Sequence, residues 1–245
     1  MIATFPIRLT AREKLVDNVF RFTFAPVDHA FVFKPGQYVI LHIPQADGHA
    51  VRRLYSMASP ASRPGSFDLI VEIIEGGLAS GYLMRMQIGE TLTTQGPAGM
   101  FTLPPEPADS VFLATGTGIA PIMSMLSHLA EHHTDKQAFL FWGFPNISSV
   151  YLQDELKKIA SIHPNFRFMN CLSREQDLTC VTSPAERGYF GLGHVNDGLE
   201  AVVGADIPKY HYFLCGGPKV VESLREYLAG KGVPKEQVHF EKFTG

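Results

Sequence analysis

Leu103-Pro104-Pro105-Glu106-Pro107 sets three prolines in four residues, and neither a helix nor a central strand runs through such a stretch. It divides the chain into two rhythms. Before it lie six short β-prone segments, Phe5–Leu9, Val19–Phe24, Tyr38–Ile43, Arg52–Ser56, Phe67–Ile74 and Thr91–Gln95. Pro35-Gly36, Pro44, Pro60, Pro64-Gly65 and Gly89 punctuate them, and one helix is expected near Ala79–Met86. Beyond it, short apolar strands (Val111–Ala114, Ala138–Trp142, Phe166–Leu172, Tyr210–Leu214, Val238–Lys242) alternate with helices (Pro121–Glu131, Leu152–Ser161, Val220–Ala229). The first rhythm implies a closed antiparallel sheet and the second a parallel sheet covered on both faces. The expected architecture is an antiparallel Greek-key β-barrel over residues 1–104, followed by a five-stranded parallel α/β sheet over 108–245.

The net charge is −3, and residues 1–103 carry 9 Lys/Arg against 8 Asp/Glu, so no basic face marks a nucleic-acid or membrane partner. The three cysteines, Cys171, Cys180 and Cys215, form no CxxC pair and are too few to ligate an iron–sulfur cluster with four thiolates. Met1–Thr10 lacks the charged-then-apolar layout of a secretory signal, and Phe139–Phe144 is too short to cross a bilayer. A cytoplasmic protein with reduced thiols, no metal site and a monomeric state is the expectation.

Four stretches carry chemistry. In Leu113–Pro121 an apolar strand runs through Thr115, Gly116, Thr117 and Gly118 into a helix opened by Pro121. Glycines let backbone approach an anion, and a helix N-terminus offers free N–H groups. Cys215-Gly216-Gly217-Pro218 repeats the arrangement at another strand end, where ligands of open α/β sheets bind. Plain strand–helix turns and a structural cysteine would look the same. Ser173 and Arg174, ending a third strand, could hold a phosphate, with Arg187 and Tyr189 adding a cation and a stacking ring. Such a site would favour NADPH, yet Glu175 and Asp177 nearby are what a ribose 2′-hydroxyl would want, and a solvated loop, the usual fate of surface charges, competes here more strongly than at the glycine turns. In the barrel half, Arg53 and Tyr55 share one strand face and Leu54 and Ser56 the other. Gly77, Leu78, Ala79 and Ser80 open a helix as a further anion cradle.

In order and spacing, Arg53-Leu54-Tyr55-Ser56, Gly77-Leu78-Ala79-Ser80, Gly116–Pro121, Cys215–Pro218 and Glu241-Lys242-Phe243 resemble the ferredoxin–NADP reductase superfamily over essentially the whole chain. The resemblance implies a barrel that binds FAD and an α/β domain that binds NADPH, with NADH as an alternative donor. Arg53 and Gly77–Ser80 would meet the flavin pyrophosphate. Tyr55 would pack on the isoalloxazine ring, with Ser56 beside its N5 atom and Phe243 over the other face. Thr115–Gly118, Pro121, Ser173, Arg174, Arg187, Tyr189 and Cys215–Pro218 would hold the nicotinamide nucleotide. Ser56, Cys215, Glu241 and Phe243 would be the catalytic set, Glu241 moving protons. Thr244 and Gly245 follow Phe243, which is more like oxygenase reductases than plant-type members. The implied activity is hydride transfer from NADPH to flavin, then single-electron delivery to a separate ferredoxin or flavodoxin. A reductase component of an oxygenase, a free-flavin reductase and a non-enzymatic FAD-binding subunit of a larger complex remain alternatives.

Overall fold

The computed structural model describes residues 2–243, so Thr244 and Gly245 lie outside the described residues. The first lobe contains β1 (Ala3–Val16), β2 (Val19–Pro26), β3 (Tyr38–Pro44), β4 (Ala50–Ser56), β5 (Phe67–Glu72), α1 (Leu78–Arg85) and β6 (Thr91–Ala98). Its strands are ordered β4-β3-β6-β1-β2-β5, with every neighbour antiparallel. A Met57–Leu69 bridge and an Ala58 N–H to Asp68 carbonyl bond of 2.8 Å close the two ends into a barrel. Alternation drives the closure: Phe5, Ile7 and Leu9 are buried while Pro6 and Arg8 between them are exposed.

The second lobe runs β7 (Ser110–Thr115), α2 (Ile119–His132), β8 (Ala138–Phe144), α3 (Gln153–Ile162), β9 (Phe166–Leu172), β10 (Phe190–Leu192), α4 (Val195–Val202), β11 (His211–Gly216), α5 (Pro218–Gly230) and β12 (Val238–Lys242). All neighbours are parallel, in the order β10-β9-β8-β7-β11-β12. The sheet has six strands where five were expected. The added β10 pairs only three residues with β9, too few for any alternation to register in sequence. Helix α4 was also unforeseen. It contains Gly198, where a side chain would collide with the Cys171 thiol and the Phe141 ring. Among the described residues no helix is long and apolar enough to cross a membrane.

The lobes share a core. On β2, Phe22 and Phe24 enter the barrel, while Val19 points outward into the apolar cluster formed by α2, α3 and the parallel sheet. Ile70, Ala58 and Phe101 join that cluster from the barrel side. Strand β5 is therefore buried on both faces from Phe67 to Val71, which is why its sequence reads as a continuous apolar run broken only by Asp68. Asp68 is satisfied by Thr23 Oγ1 (2.8 Å) and by the Arg63 guanidinium (2.8 Å). Arg21, on the same outer face of β2, pairs with Glu13 (3.0 Å) and reaches across to Glu155 on α3.

Gly36 sits where the loop before β3 touches Phe101. Its φ is +95°, and a Cβ there would overlap the Phe101 carbonyl. Gly36→Ala is expected to lower unfolding free energy by at least about 1–2 kcal/mol from backbone strain alone, measured by urea denaturation.

Candidate active site

Strand order reverses between β7 and β11: the chain leaves β7 toward β8 and β9, then returns to β11 and β12 on the other side. Open parallel sheets bind ligands in the crevice at such a reversal, outside the strand C-termini. Both glycine turns of the second lobe lie there. Gly116–Gly118 forms a 3-10 turn leading into α2, and Gly217 caps α5. A Cβ on Gly118 would overlap the Cys215 carbonyl, and one on Gly216 would overlap Thr115 Oγ1. The glycines thus permit the two strand ends to meet. Gly116, at φ +52°, is held by Trp142 Nε1–H (3.0 Å) and the Tyr151 hydroxyl (3.2 Å), both donating to its carbonyl. Neither aromatic was singled out from sequence. Each is an aromatic with a polar tip beside a glycine turn, a pairing visible only once β7 and β8 are neighbours.

Cys215 is buried, and burial followed by the nearby Glu241 carboxylate holds its thiol well above the ordinary range. It lies opposite Glu241 in the β11–β12 ladder. Glu241 accepts a 2.8 Å hydrogen bond from Ser56 Oγ, at the end of β4 in the barrel. Burial raises the Glu241 carboxyl above its ordinary value, with the Ser56 bond opposing. Ser56 therefore stands at the seam between lobes. Tyr55, on the other face of β4 with Arg53, packs partly against the barrel core. Its hydroxyl is pushed up to about 12 by burial, against the pull of Arg53. Arg53 and Leu54 are exposed. Phe243 is half-buried against the shared core, and its N–H donates to the Gly216 carbonyl at 2.9 Å.

The helix N-termini fall into two kinds. In the first turn of α3 stand Asp154 and Glu155, and Asp197 of α4 accepts from the His194 N–H. Helices α1 and α5, and α2 with its leading 3-10 turn, have neither an acidic residue in the first turn nor a side-chain cap. These are the three helices opened by glycine. Their free N–H groups and positive dipole ends suit the pyrophosphates of dinucleotides, and no carboxylate competes. The residues present fit two dinucleotides. In α1 the Ser80 hydroxyl is engaged with the backbone of Ile74 (3.2 and 3.4 Å), so the anion donors there are main-chain amides.

The loop after β9 is held both by the neighbouring end of β8 and by its own backbone. Glu175 accepts from the Ile147 N–H (3.1 Å), and Asp177 accepts from the N–H (2.8 Å) and hydroxyl of Thr179. Ser173 Oγ bonds the Phe144 carbonyl (3.2 Å). Arg174 is exposed and its guanidinium has no partner among the described residues. Arg187 Nε donates to the Val181 carbonyl (3.2 Å). Tyr189 stacks on Phe168 at 4.7 Å, and the Lys157 ammonium lies 5.6 Å from its ring centroid, so the ring is already engaged within the lobe. Among the described residues no group of three or more His, Cys, Asp or Glu is placed to hold a metal ion.

A barrel with one glycine-opened helix and a parallel sheet with two, none with an acidic residue in its first turn, define a two-lobed dinucleotide-binding protein. Residues 6–103 match the oxidoreductase FAD-binding domain and residues 112–226 the oxidoreductase NAD-binding domain. A ferredoxin–NADP reductase of Sorangium cellulosum is 36% identical over 243 residues, covering 98% of this chain and 97% of its own length. The reductase component of propane 2-monooxygenase from Rhodococcus jostii is 32% identical over 243 residues, and the match spans 97% of this chain but 63% of that protein. Among solved structures, the Amycolatopsis cytochrome P450 reductase GcoB superposes with a TM-score of 0.87 at 27% identity, covering 100% of this chain and 71% of that one. The chain belongs to the ferredoxin–NADP reductase superfamily, and is an oxidoreductase with an FAD-binding and an NAD(P)-binding domain.

The raised Glu241 carboxyl fixes the sign of a pH effect. Below its ordinary 4.5 the group is protonated in both folded and unfolded chains and its burial carries no charge penalty. As pH rises through the higher folded-state value, the unfolded chain releases the proton first and stability falls. Glu241→Gln is expected to flatten this slope above pH 4.5 in urea unfolding of the apoprotein.

Proposed function

We propose that this chain is an FAD-dependent NADPH reductase that passes electrons singly to a separate carrier, ferredoxin or flavodoxin. Residues 1–104 hold FAD and residues 108–245 hold NADPH, with β12 returning Glu241 and Phe243 to the flavin. FAD, when bound, accepts hydride and returns its electrons one at a time, which a nicotinamide does not readily do. Arg53 and the first amides of α1, from Gly77 through Leu78 and Ala79, neutralise its pyrophosphate. Tyr55 offers a ring face for the isoalloxazine. The turn at Thr115–Gly118 and the amides after Gly217 hold the nicotinamide nucleotide, with Cys215 supplying a small, neutral wall. Ser56 and Glu241 hold the mobile proton.

The observation that carries the choice of NADPH is Arg174, which is exposed at the end of β9 with no partner for its guanidinium among the described residues. A free guanidinium suits a 2′-phosphate, and Glu175 and Asp177 each already accept at one oxygen, from Ile147 N–H and from Thr179. The separate carrier is supported by the relative from Sorangium cellulosum, named as a ferredoxin–NADP reductase and matched over 97% of its length. Service to an oxygenase is a second reading, favoured by the match to the propane 2-monooxygenase reductase component.

Stopped-flow bleaching of the flavin by NADPH and by NADH, followed by mixing with ferredoxin, flavodoxin or free flavin, tests the proposal directly. No preference for NADPH, or electron delivery to free flavin alone, would overturn it. Arg174→Ala is expected to raise the Michaelis constant for NADPH about tenfold, the loss of one charge-assisted contact, while NADH use stays near its original value. Ser56→Ala is expected to slow flavin reduction tenfold or more with FAD affinity changed much less; equal losses in both would assign Ser56 to binding only.

A further inference from the structure

The sheet face that carries Glu241 continues away from the site as a pair of imidazoles. In the β11–β12 ladder Phe213 lies opposite His239, and Cys215 opposite Glu241. Alternate residues share a face, so His211, Phe213 and Cys215 of β11 line up with His239 and Glu241 of β12. The His239 ring stacks on Phe213 at 4.9 Å and lies nearly parallel to His211 at 6.0 Å and 15°. Phe213 in turn meets Phe101, from the segment joining the lobes, at 6.0 Å. Both imidazoles are partly buried, and His211 Nδ1 and His239 Nε2 are shut from solvent without a hydrogen-bond partner among the described residues. Two unpartnered ring nitrogens on one row, ending at a proton-holding carboxyl, call for a chemical reason.

The reaction supplies one, given the reading above in which hydride enters and electrons leave singly. A hydride brings two electrons and one proton. When both electrons have gone to one-electron acceptors, one proton per hydride remains and must reach water. We propose that His239 and His211 carry this proton from Glu241 out along the joint between the lobes. Ser56 already donates to Glu241 at 2.8 Å, so accepting a proton on the Ser56 oxygen passes its own hydrogen to the carboxylate. His239 is two residues along the same strand face, about 6.5 Å away, a gap that one bridging water spans. His211 follows it toward the start of β11.

The surroundings favour transfer over storage. Burial, with His211 beside it, holds His239 below its ordinary 6.5, so it accepts a proton and releases it readily near neutrality. The titratable groups on this face are His211 and Cys215 from β11, Glu241 from β12 itself, and the hydroxyl of Ser56 from the barrel. On the opposite face, toward α5, Glu222 pairs with Lys242 (2.7 Å) and Arg225 (2.9 Å), and Arg225 lies over Phe240. Asp109, before β7, has its carboxylate on the Gln137 N–H (2.8 Å). No acid competes with Glu241 along the row among these groups.

The test uses FAD-loaded protein and a pH-indicator dye in stopped flow. Flavin reduction by NADPH and proton release on reoxidation by ferricyanide, a one-electron oxidant that takes up no proton, are timed separately. His239→Gln is expected to slow proton release at least tenfold more than it slows reduction, and His211→Gln to act in the same direction. Equal slowing of both steps, or unchanged release, would overturn the proposal. An independent arm needs no flavin: imidazole titration by NMR in apoprotein. Glu241→Gln and His211→Gln should each shift the His239 midpoint, and a midpoint indifferent to both would break the row. If wild-type protein is not bleached by either nicotinamide, the functional reading fails, whereas bleaching with unaltered proton release in both variants sinks the histidine row alone.

Discussion

Hydride transfer demands a donor carbon within about 3–3.5 Å of its acceptor, so two lobes that each grip one cofactor need a joint that does not drift. Apolar burial supplies that joint. Val19, Ile70 and Phe101 leave the barrel and enter the cluster beneath α2 and α3, and burying each side chain contributes about 1.5–3 kcal/mol. The Ser56–Glu241 hydrogen bond crosses the same seam but contributes only about 0.5–1.5 kcal/mol net. The apolar contact therefore holds the lobes, and the hydrogen bond benefits from a geometry it could not maintain alone. Arg21 adds a partly buried ion pair to Glu155, whose value lies in alignment more than in energy.

The second constraint is steric. At the reversal between β7 and β11 the backbone of Gly118 lies against Cys215 and Gly216, and Gly216 lies against Thr115. Any side chain at either glycine would push these strand ends apart. Close backbone contact is what brings two anion-ready turns into a single crevice, beside the buried thiol and the raised carboxyl. Trp142 and Tyr151 complete the arrangement by tethering the Gly116 carbonyl, which keeps the turn's amides available on its other side.

Electrostatic selection follows from which polar groups are already spent. Asp154, Glu155 and Asp197 stand at helix starts away from the glycine turns, and α1, α2 and α5 have no acid in the first turn. Glu175 and Asp177 each accept a hydrogen bond from a loop amide, of Ile147 and Thr179. The three glycine-opened helix starts offer main-chain N–H and the end of β9 offers the Arg174 guanidinium, both complements of phosphate. The groups left over on the far side, His211 and His239, lie on the one sheet face that connects Glu241 with the joint between lobes.

Local pattern carried much of this. The alternation of Phe5, Ile7 and Leu9, the proline run at 104–107 and the strand–glycine–helix junctions at Gly116 and Gly216 are short-range features, and short-range sterics dictate their conformation wherever they occur. They were sufficient to define a barrel, a parallel sheet and the stretches suited to an anion. Strand β10 is too short at three residues to show a period, and α4, as long as α1, carries Asn196, Asp197 and Gly198, poor helix formers that mask it; packing against β9 and Phe141 stabilises both. Long-range pairing decided the rest. Nothing near Ser56 in sequence announces Glu241, 185 residues away. Whether Glu175 faces a ribose or an amide, and whether Tyr189 is free or stacked on Phe168, depends on which backbone groups the fold brings alongside. The sequence thus determined which segments could bind an anion or line a core, since those properties reside in single residues and their neighbours. Only the tertiary structure decided which of them share a crevice and which polar groups are already satisfied, because hydrogen bonding and burial belong to pairs of residues that the chain unites only by folding.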